Sequence, residues 1–249
     1  MAESITPEIN VAEDLNQLSE QVAENIVHLI EETLGRQGRF TFVLSGGNTP
    51  QPLYSILATK YADRLPWEKV HFFWGDERYV EPTDEQSNVK MIREKLLDYL
   101  DIPIHHAHPM PTSFEDPEEA ARNYEELLHS FFSDAFPVFD LVLLGLGQDG
   151  HTASLFPKSN TLNEERKWVT VEKKSPKPPP TRLSLTYPAI NHAKNIFFLV
   201  SGKKKAKTIQ KILETRADKK KYPAAGIQPV NGHLTWWLDQ AAAKKLSDN

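Results

Sequence analysis

The chain has no cysteine among its 249 residues. Disulfides, thiolate metal sites and cysteine nucleophiles are therefore excluded. Long apolar runs are also missing, and no stretch approaches the roughly 18 apolar residues that a membrane span needs. The first thirty residues mix Glu, Asp, Asn and Gln with apolar positions, so no secretory leader is expected. Positive charge is not in excess. A formal net charge of −5 speaks against a general nucleic-acid partner but leaves room for a local basic pocket around a small anion. A cytoplasmic protein without membrane contact is the expectation.

What is present suits a packed core: 39% hydrophobic and 25% charged residues are incompatible with wholesale disorder. One α/β domain over 1–249 is expected, because strands and helices alternate along the chain with few hairpin turns. Helical spacing of Leu15, Leu18, Val22, Ile26, Leu29 and Ile30 predicts a helix over about 11–34. Apolar runs at Phe40–Leu44, Val70–Trp74 and Leu141–Leu144 read as buried strands. Further strands are expected at 167–171, 182–185, 195–200 and 233–237, and helices after Pro50, at 88–97, 117–132 and 203–214, and at the C-terminus. Residues 101–116 read as a loop. The tract Ser175-Pro176-Lys177-Pro178-Pro179-Pro180 reads as a stiff wall. The fold class is thus α/β, a mostly parallel sheet with helices on both faces.

Three strand ends carry chemistry. Leu144 is followed by Gly145-Leu146-Gly147-Gln148-Asp149-Gly150-His151, which delivers Asp149 and His151 to a carboxyl sheet edge, where such folds bind ligands. That histidine is either a catalytic base or an ordinary cap. Ser45-Gly46-Gly47-Asn48-Thr49-Pro50 lies between a strand and a helix, as an anion cradle or as a plain capping turn. Trp74-Gly75-Asp76-Glu77-Arg78 places Asp76 and Arg78 just beyond a buried strand, at a site or in a turn-closing pair. Arg182 opens a strand and Lys205 opens a helix, where a cation is unfavourable unless an anion binds there. Lys203, Lys204 and Lys219–Lys221 read as surface charge. His105, His106 and His108 mimic metal-ligand spacing without a convincing carboxylate, and no metal is assigned to them. Trp236 and Trp237 are expected in packing and at a cleft edge.

Taken together the blocks resemble the 6-phosphogluconolactonase family. The resemblance runs through Leu44–Pro50, Trp74–Arg78, Ser87-Asn88, Gly145–Pro157, Pro180–Thr186 and Ser201–Ala206, in family order over about 39–237. Asn48 stands where the family often has serine. The family's Gly-x-x-Lys-Ala spacing selects Lys205 from three consecutive lysines. A related family, the glucosamine-6-phosphate deaminases, is similar in several blocks but has a second carboxylate where this chain has Phe156.

The resemblance implies a modified Rossmann-like fold and hydrolysis of a phosphorylated sugar lactone without organic cofactor or required metal. It makes His151 the base, with Asp149 fixing its tautomer or positioning water, and Arg78 with Asp76 at the sugar ring or developing charge. Amides of Gly46, Gly47 and Gly147 are candidate oxyanion donors. The phosphate is expected on Ser45, Gly46, Gly47, Asn48, Thr49, Arg182 and Lys205. A catalytically silent sugar-phosphate binder on the same fold is the third reading. A monomer is expected.

Overall fold

A computed structural model describes residues 7–247; the other positions of the expected 1–249 domain lie outside the described residues. In chain order the elements begin β1 (Glu8–Ala12), α1 (Leu15–Leu34), β2 (Phe40–Leu44), α2 (Gln51–Lys60), β3 (Val70–Trp74) and β4 (Asp76–Arg78). Next come α3 (Asn88–Lys95), β5 (Ala107–His108), α4 (Pro117–Phe131), β6 (Leu141–Leu144), β7 (Val169–Glu172) and β8 (Arg182–Leu185). The chain ends with α5 (Tyr187–Asn191), β9 (Asn195–Val200), α6 (Ala206–Glu214), β10 (His233–Asp239) and α7 (Gln240–Ala243).

Seven strands form one parallel sheet in the order β1-β10-β9-β6-β2-β3-β5, with helices on both faces. Its centre is apolar on both sides: every residue of β2 and β6 is buried. Phe42 pairs in register with Phe72 on one side and Leu141 on the other. That two-sided burial is why these runs show no alternation in the sequence. From β2 the chain builds outward through β3 to β5, then returns to place β6 on β2's other side. The carboxyl ends of β2 and β6 thus flank a topological switch point, the place where open α/β sheets leave a crevice. Gly75 N–H extends the pairing by donating to Leu44 C=O (3.0 Å), so the β3 loop leaves at the same level.

Three expectations need correction. The first helix does not start at 11: residues 8–12 are an edge strand paired with β10, and Asp14 caps α1 by accepting from Asn16 N–H (2.8 Å) and Gln17 N–H (2.9 Å). Val11 is half exposed on this edge, so its apolarity belongs to strand propensity, not to the helix stripe. Nor do the strands at 169–172 and 182–185 join the parallel sheet. They form a separate antiparallel sheet, β4-β8-β7, in which Asp76 faces Ser184 and Arg78 faces Arg182. The loop expected at 101–116 also contains the two-residue strand β5.

Candidate active site

Four loops meet where β9, β6, β2 and β3 end side by side, and between them lies a cleft of 390 Å³. Its lining includes Ser45, Gly46, Gly47, Asn48, Thr49, Asp76, Arg78, His151, Arg182 and Lys205, brought from positions more than 150 residues apart. Asp149 stands behind His151. All the sequence-expected site residues are therefore in one place.

His151 Nδ1 lies 2.5 Å from Asp149 Oδ1. Burial alone would raise the Asp149 carboxyl, but the hydrogen bond and charge of His151 prevail and hold it at about 2. An ionised carboxylate only accepts, so Nδ1 carries the proton of this hydrogen bond and Nε2 is the nitrogen left for proton exchange. The Phe156 ring packs on the imidazole with centroids 4.5 Å apart, and among the described residues Asp149 is the one carboxylate paired with it. Close approach of the strand-end backbone makes this possible. A Cβ on Gly147 would lie 2.0 Å from His151 Nδ1, so only glycine fits. Gly147 N–H itself donates to His151 C=O (2.8 Å), which removes it from the expected set of oxyanion donors.

Antiparallel pairing places Asp76 and Arg78 on one face of β4, with Glu77 on the other. Asp76 Oδ2 accepts from the buried Ser154 hydroxyl (2.6 Å). Arg78 Nη1 donates to Gln86 C=O (2.6 Å), while its buried Nε–H has no partner among the described residues. Glu77 accepts from the N–H groups of Arg78, Asn88 and Val89 at 2.7–2.8 Å, which ties β4 to the start of α3. Burial nevertheless pushes its carboxyl up to about 7. Asn88 Nδ2 then donates to Asp76 C=O (2.9 Å), and its Oδ1 packs so close to Gly46 that a Cβ there would lie 2.0 Å away.

The Ser45–Thr49 loop is clamped from α2. Tyr54 Oη accepts from Ser45 N–H (2.9 Å) and donates to Ser45 C=O (2.7 Å). Helix α2 has no side-chain N-cap, but its first turn offers few amides to an anion: Gln51 N–H donates to Asn48 C=O (3.3 Å), and Pro50 and Pro52 have no N–H. Lys205 is fixed at the other rim: Gly202 N–H bonds both Asp239 carboxylate oxygens at 3.1 Å, and Lys205 Nζ donates to Leu146 C=O (2.5 Å). Burial, then the neighbouring charge of Lys177, pulls the Lys205 pKa down. Arg182 is 5% exposed, and burial lowers its pKa too, although Asp76 works against that.

Sequence reasoning overlooked Lys177, Asn88 and Ser154. Asn88 and Ser154 fall inside quoted motif blocks, whereas Lys177 lies in the proline tract read as a passive wall, yet it lines the cleft. Among the described residues, none of the four lining cations, Arg78, Lys177, Arg182 and Lys205, makes a salt bridge. Trp236 and Trp237 are buried, and neither lines the cleft; Trp236 stacks on Phe198 at 4.0 Å. The histidines at 105–108 gather around His71, and among the described residues no cluster is suited to a metal ion. No described helix is long and apolar enough to cross a membrane.

Residues 13–236 match the family model described as glucosamine-6-phosphate isomerases/6-phosphogluconolactonase. A 6-phosphogluconolactonase of Synechocystis sp. is 44% identical over 245 residues, covering 97% of this chain and 99% of the relative. The solved 6-phosphogluconolactonase of Trypanosoma cruzi superposes with a TM-score of 0.88 at 31% identity, covering 99% of both chains. A monomeric glucosamine-6-phosphate deaminase superposes with a TM-score of 0.78 over 96% of this chain and 99% of its own, but at 22% identity that likeness concerns the fold alone.

Proposed function

Because the chain belongs to the glucosamine-6-phosphate isomerase/6-phosphogluconolactonase family, we propose that its cleft takes up 6-phosphogluconolactone and hydrolyses it to 6-phosphogluconate. The observation that carries this is a carboxylate-oriented imidazole lining a cleft whose cations make no salt bridge among the described residues. A doubly charged phosphoryl group supplies what the cations lack, and a neutral ester carbonyl is what a neutral imidazole can hydrate.

The steps balance with water alone. His151 Nε2 takes a proton as water oxygen bonds to C1, and the carbonyl becomes an oxyanion. The Arg78 side chain, which lines the cleft, is the donor assigned to that charge, with the Gly46 and Gly47 amides. Collapse of the tetrahedral centre breaks the bond from C1 to the ring oxygen, which receives the proton from His151. The acid product then ionises to solvent. Asp149 stays charged throughout and stabilises the transient imidazolium. The phosphate, at the far end of the substrate, rests on the Ser45–Thr49 loop, Arg182 and Lys205, so that remote binding energy orients C1.

A deaminase needs a second carboxylate near the histidine for ring opening and amine loss. Phe156 occupies the ring's other neighbour position, against both His151 and the Arg182 guanidinium (5.8 Å). That apolar contact favours the lactonase over the deaminase. We take the enzyme as a single-domain monomer of the cytoplasm. The test is a coupled assay with freshly prepared 6-phosphogluconolactone beside glucosamine 6-phosphate. Acceleration of lactone opening over the enzyme-free blank is expected, with no ammonia from the amino sugar; the reverse pattern overturns the assignment.

A further inference from the structure

Residues 173–181 fold into a braced strap. Ser175 N–H donates to Pro180 C=O (2.9 Å) and closes it, while the half-buried face of the strap is pinned from inside. Ser175 Oγ donates to Lys177 C=O (2.9 Å) and accepts from Lys177 N–H (3.1 Å). From below, Arg182 reaches the same backbone: Nε donates to Pro179 C=O (3.2 Å), and Nη2 to Pro178 C=O (3.1 Å) and, more weakly, Lys177 C=O (3.4 Å). Two of the three guanidinium nitrogens are thus spent on holding this loop, and only Nη1 remains for a ligand. A buried arginine given over to three carbonyls of an exposed loop makes sense if the loop carries something.

What it carries is Lys177. Among the charged residues of the strap it alone lines the cleft; Lys173 and Lys174 line a neighbouring 480 Å³ hollow on the other side. Its main chain is fixed on both sides by Ser175 and Arg182, whereas its side chain has no hydrogen-bond or ion-pair partner among the described residues. It lies close enough for its charge to act on both Lys205 and Asp149. Two ammonium groups set near each other repel, so the arrangement costs stability until an anion bridges them.

We propose that Lys177 is a substrate-binding residue that closes on the phosphoryl group opposite Lys205, and that Arg182 serves this site chiefly by positioning the strap, with Nη1 as its own contact. This rests on the lactonase reading for the identity of the ligand. It goes beyond that reading in assigning the cation that selects phosphorylated over plain lactone.

The experiment compares Lys177→Ala, Lys177→Arg and Lys174→Ala with the wild-type chain, measuring kcat/KM on 6-phosphogluconolactone and on unphosphorylated gluconolactone. A charge-assisted hydrogen bond is worth about tenfold or more in affinity. Lys177→Ala is expected to lower the ratio of the two specificity constants by about tenfold through KM, Lys177→Arg to restore most of it, and Lys174→Ala to leave it in place. Equal losses on both substrates, an unchanged ratio, or the same fall in Lys174→Ala would overturn the proposal. Calorimetric titration with 6-phosphogluconate runs alongside, and it should show a similar loss of affinity in Lys177→Ala. If wild-type protein binds this product but does not accelerate lactone opening, the lactonase reading fails, while the Lys177 comparison still stands or falls on the titration.

Discussion

Gly147 has no side chain because the His151–Asp149 pair occupies the space that one would fill. A Cβ would lie 2.0 Å from His151 Nδ1 and 2.4 Å from Asp149 Oδ1, distances that no rotamer change can relieve without swinging the imidazole. Gly147→Ala is therefore expected to cost kcat about as much as removing the base, while affinity for 6-phosphogluconate stays within a few-fold of wild type. Single-turnover rates and product titration would check the two halves separately. His151→Ala sets the scale: loss of a general base typically costs 10²–10⁴-fold, so a fall of at least about a hundredfold in kcat is expected. Asp149→Asn keeps the shape but removes the charge opposite the imidazolium, and kcat should fall at least about tenfold; unchanged turnover would mean that Asp149 merely caps the turn. The place of this pair at a strand end was legible in the sequence, which left the histidine open between a base and a cap. Lys177 was not, since prolines signal stiffness and nothing in a linear stretch says which side of a strap faces a cleft. The idle Gly147 amide was equally hidden: only the fold shows that it bonds His151 C=O.

Helix α2 does more than follow the phosphate loop in sequence. Its Tyr54 is fully buried and holds both polar backbone groups of Ser45, and burial keeps the phenol protonated by pushing its pKa above the ordinary range. Tyr54→Phe preserves the packing but leaves one N–H and one C=O unpaired. An orphaned buried polar group costs about 1–3 kcal/mol, so denaturant unfolding should show a loss of that order. Because the loop beginning at Ser45 is released at the same time, the KM for the phosphorylated lactone should rise with it. A loss under about 0.5 kcal/mol would show that water replaces the phenol at no cost. Elements of this kind were readable where one physical signal dominated: β2, β3 and β6 stand where their apolar runs are, and α4 starts after Asp116 at Pro117. Misreadings arose where tertiary pairing decided the outcome. β1 is held by β10 across the whole length of the chain, and the β4-β8-β7 sheet joins segments more than 90 residues apart, neither of which leaves a local periodicity.

Across the whole molecule the two ends of the sheet carry different electrostatics. At the carboxyl end four cations without a salt bridge among the described residues face a cleft in a chain of net charge −5, a field that draws in an anionic substrate against the overall repulsion. Near the amino end of β3, imidazoles pack together: His71 Nδ1 lies 3.2 Å from His108 Nε2, and its ring centroid is 3.8 Å from that of His106. Burial first, then the neighbouring imidazoles, lowers both His71 and His108 to about 4. Their folded-state pKa values lie below the roughly 6.5 of an unfolded chain, so the unfolded state takes up protons first as pH falls. Stability from this cluster is present above about 6.5 and is lost progressively down to about 4. Glu77 acts with the opposite sign: its raised value means that its contribution is present below about 4.5 and lost as pH rises through 7. The melting temperature of wild-type protein alone therefore mixes the two, and a variant is needed to separate them. His108 stacks on Phe73 at 4.5 Å, and His108→Phe retains that contact without a titrating group. Relative to wild type, this variant is expected to gain thermal stability as pH falls from 6.5 towards 4.5, with kcat at neutral pH unaffected because the cluster is separate from the cleft lining. A wild-type-minus-variant difference in melting temperature that stays flat across that interval would show that the imidazoles are hydrated enough to protonate in place, and that acid sensitivity comes from the carboxylates instead.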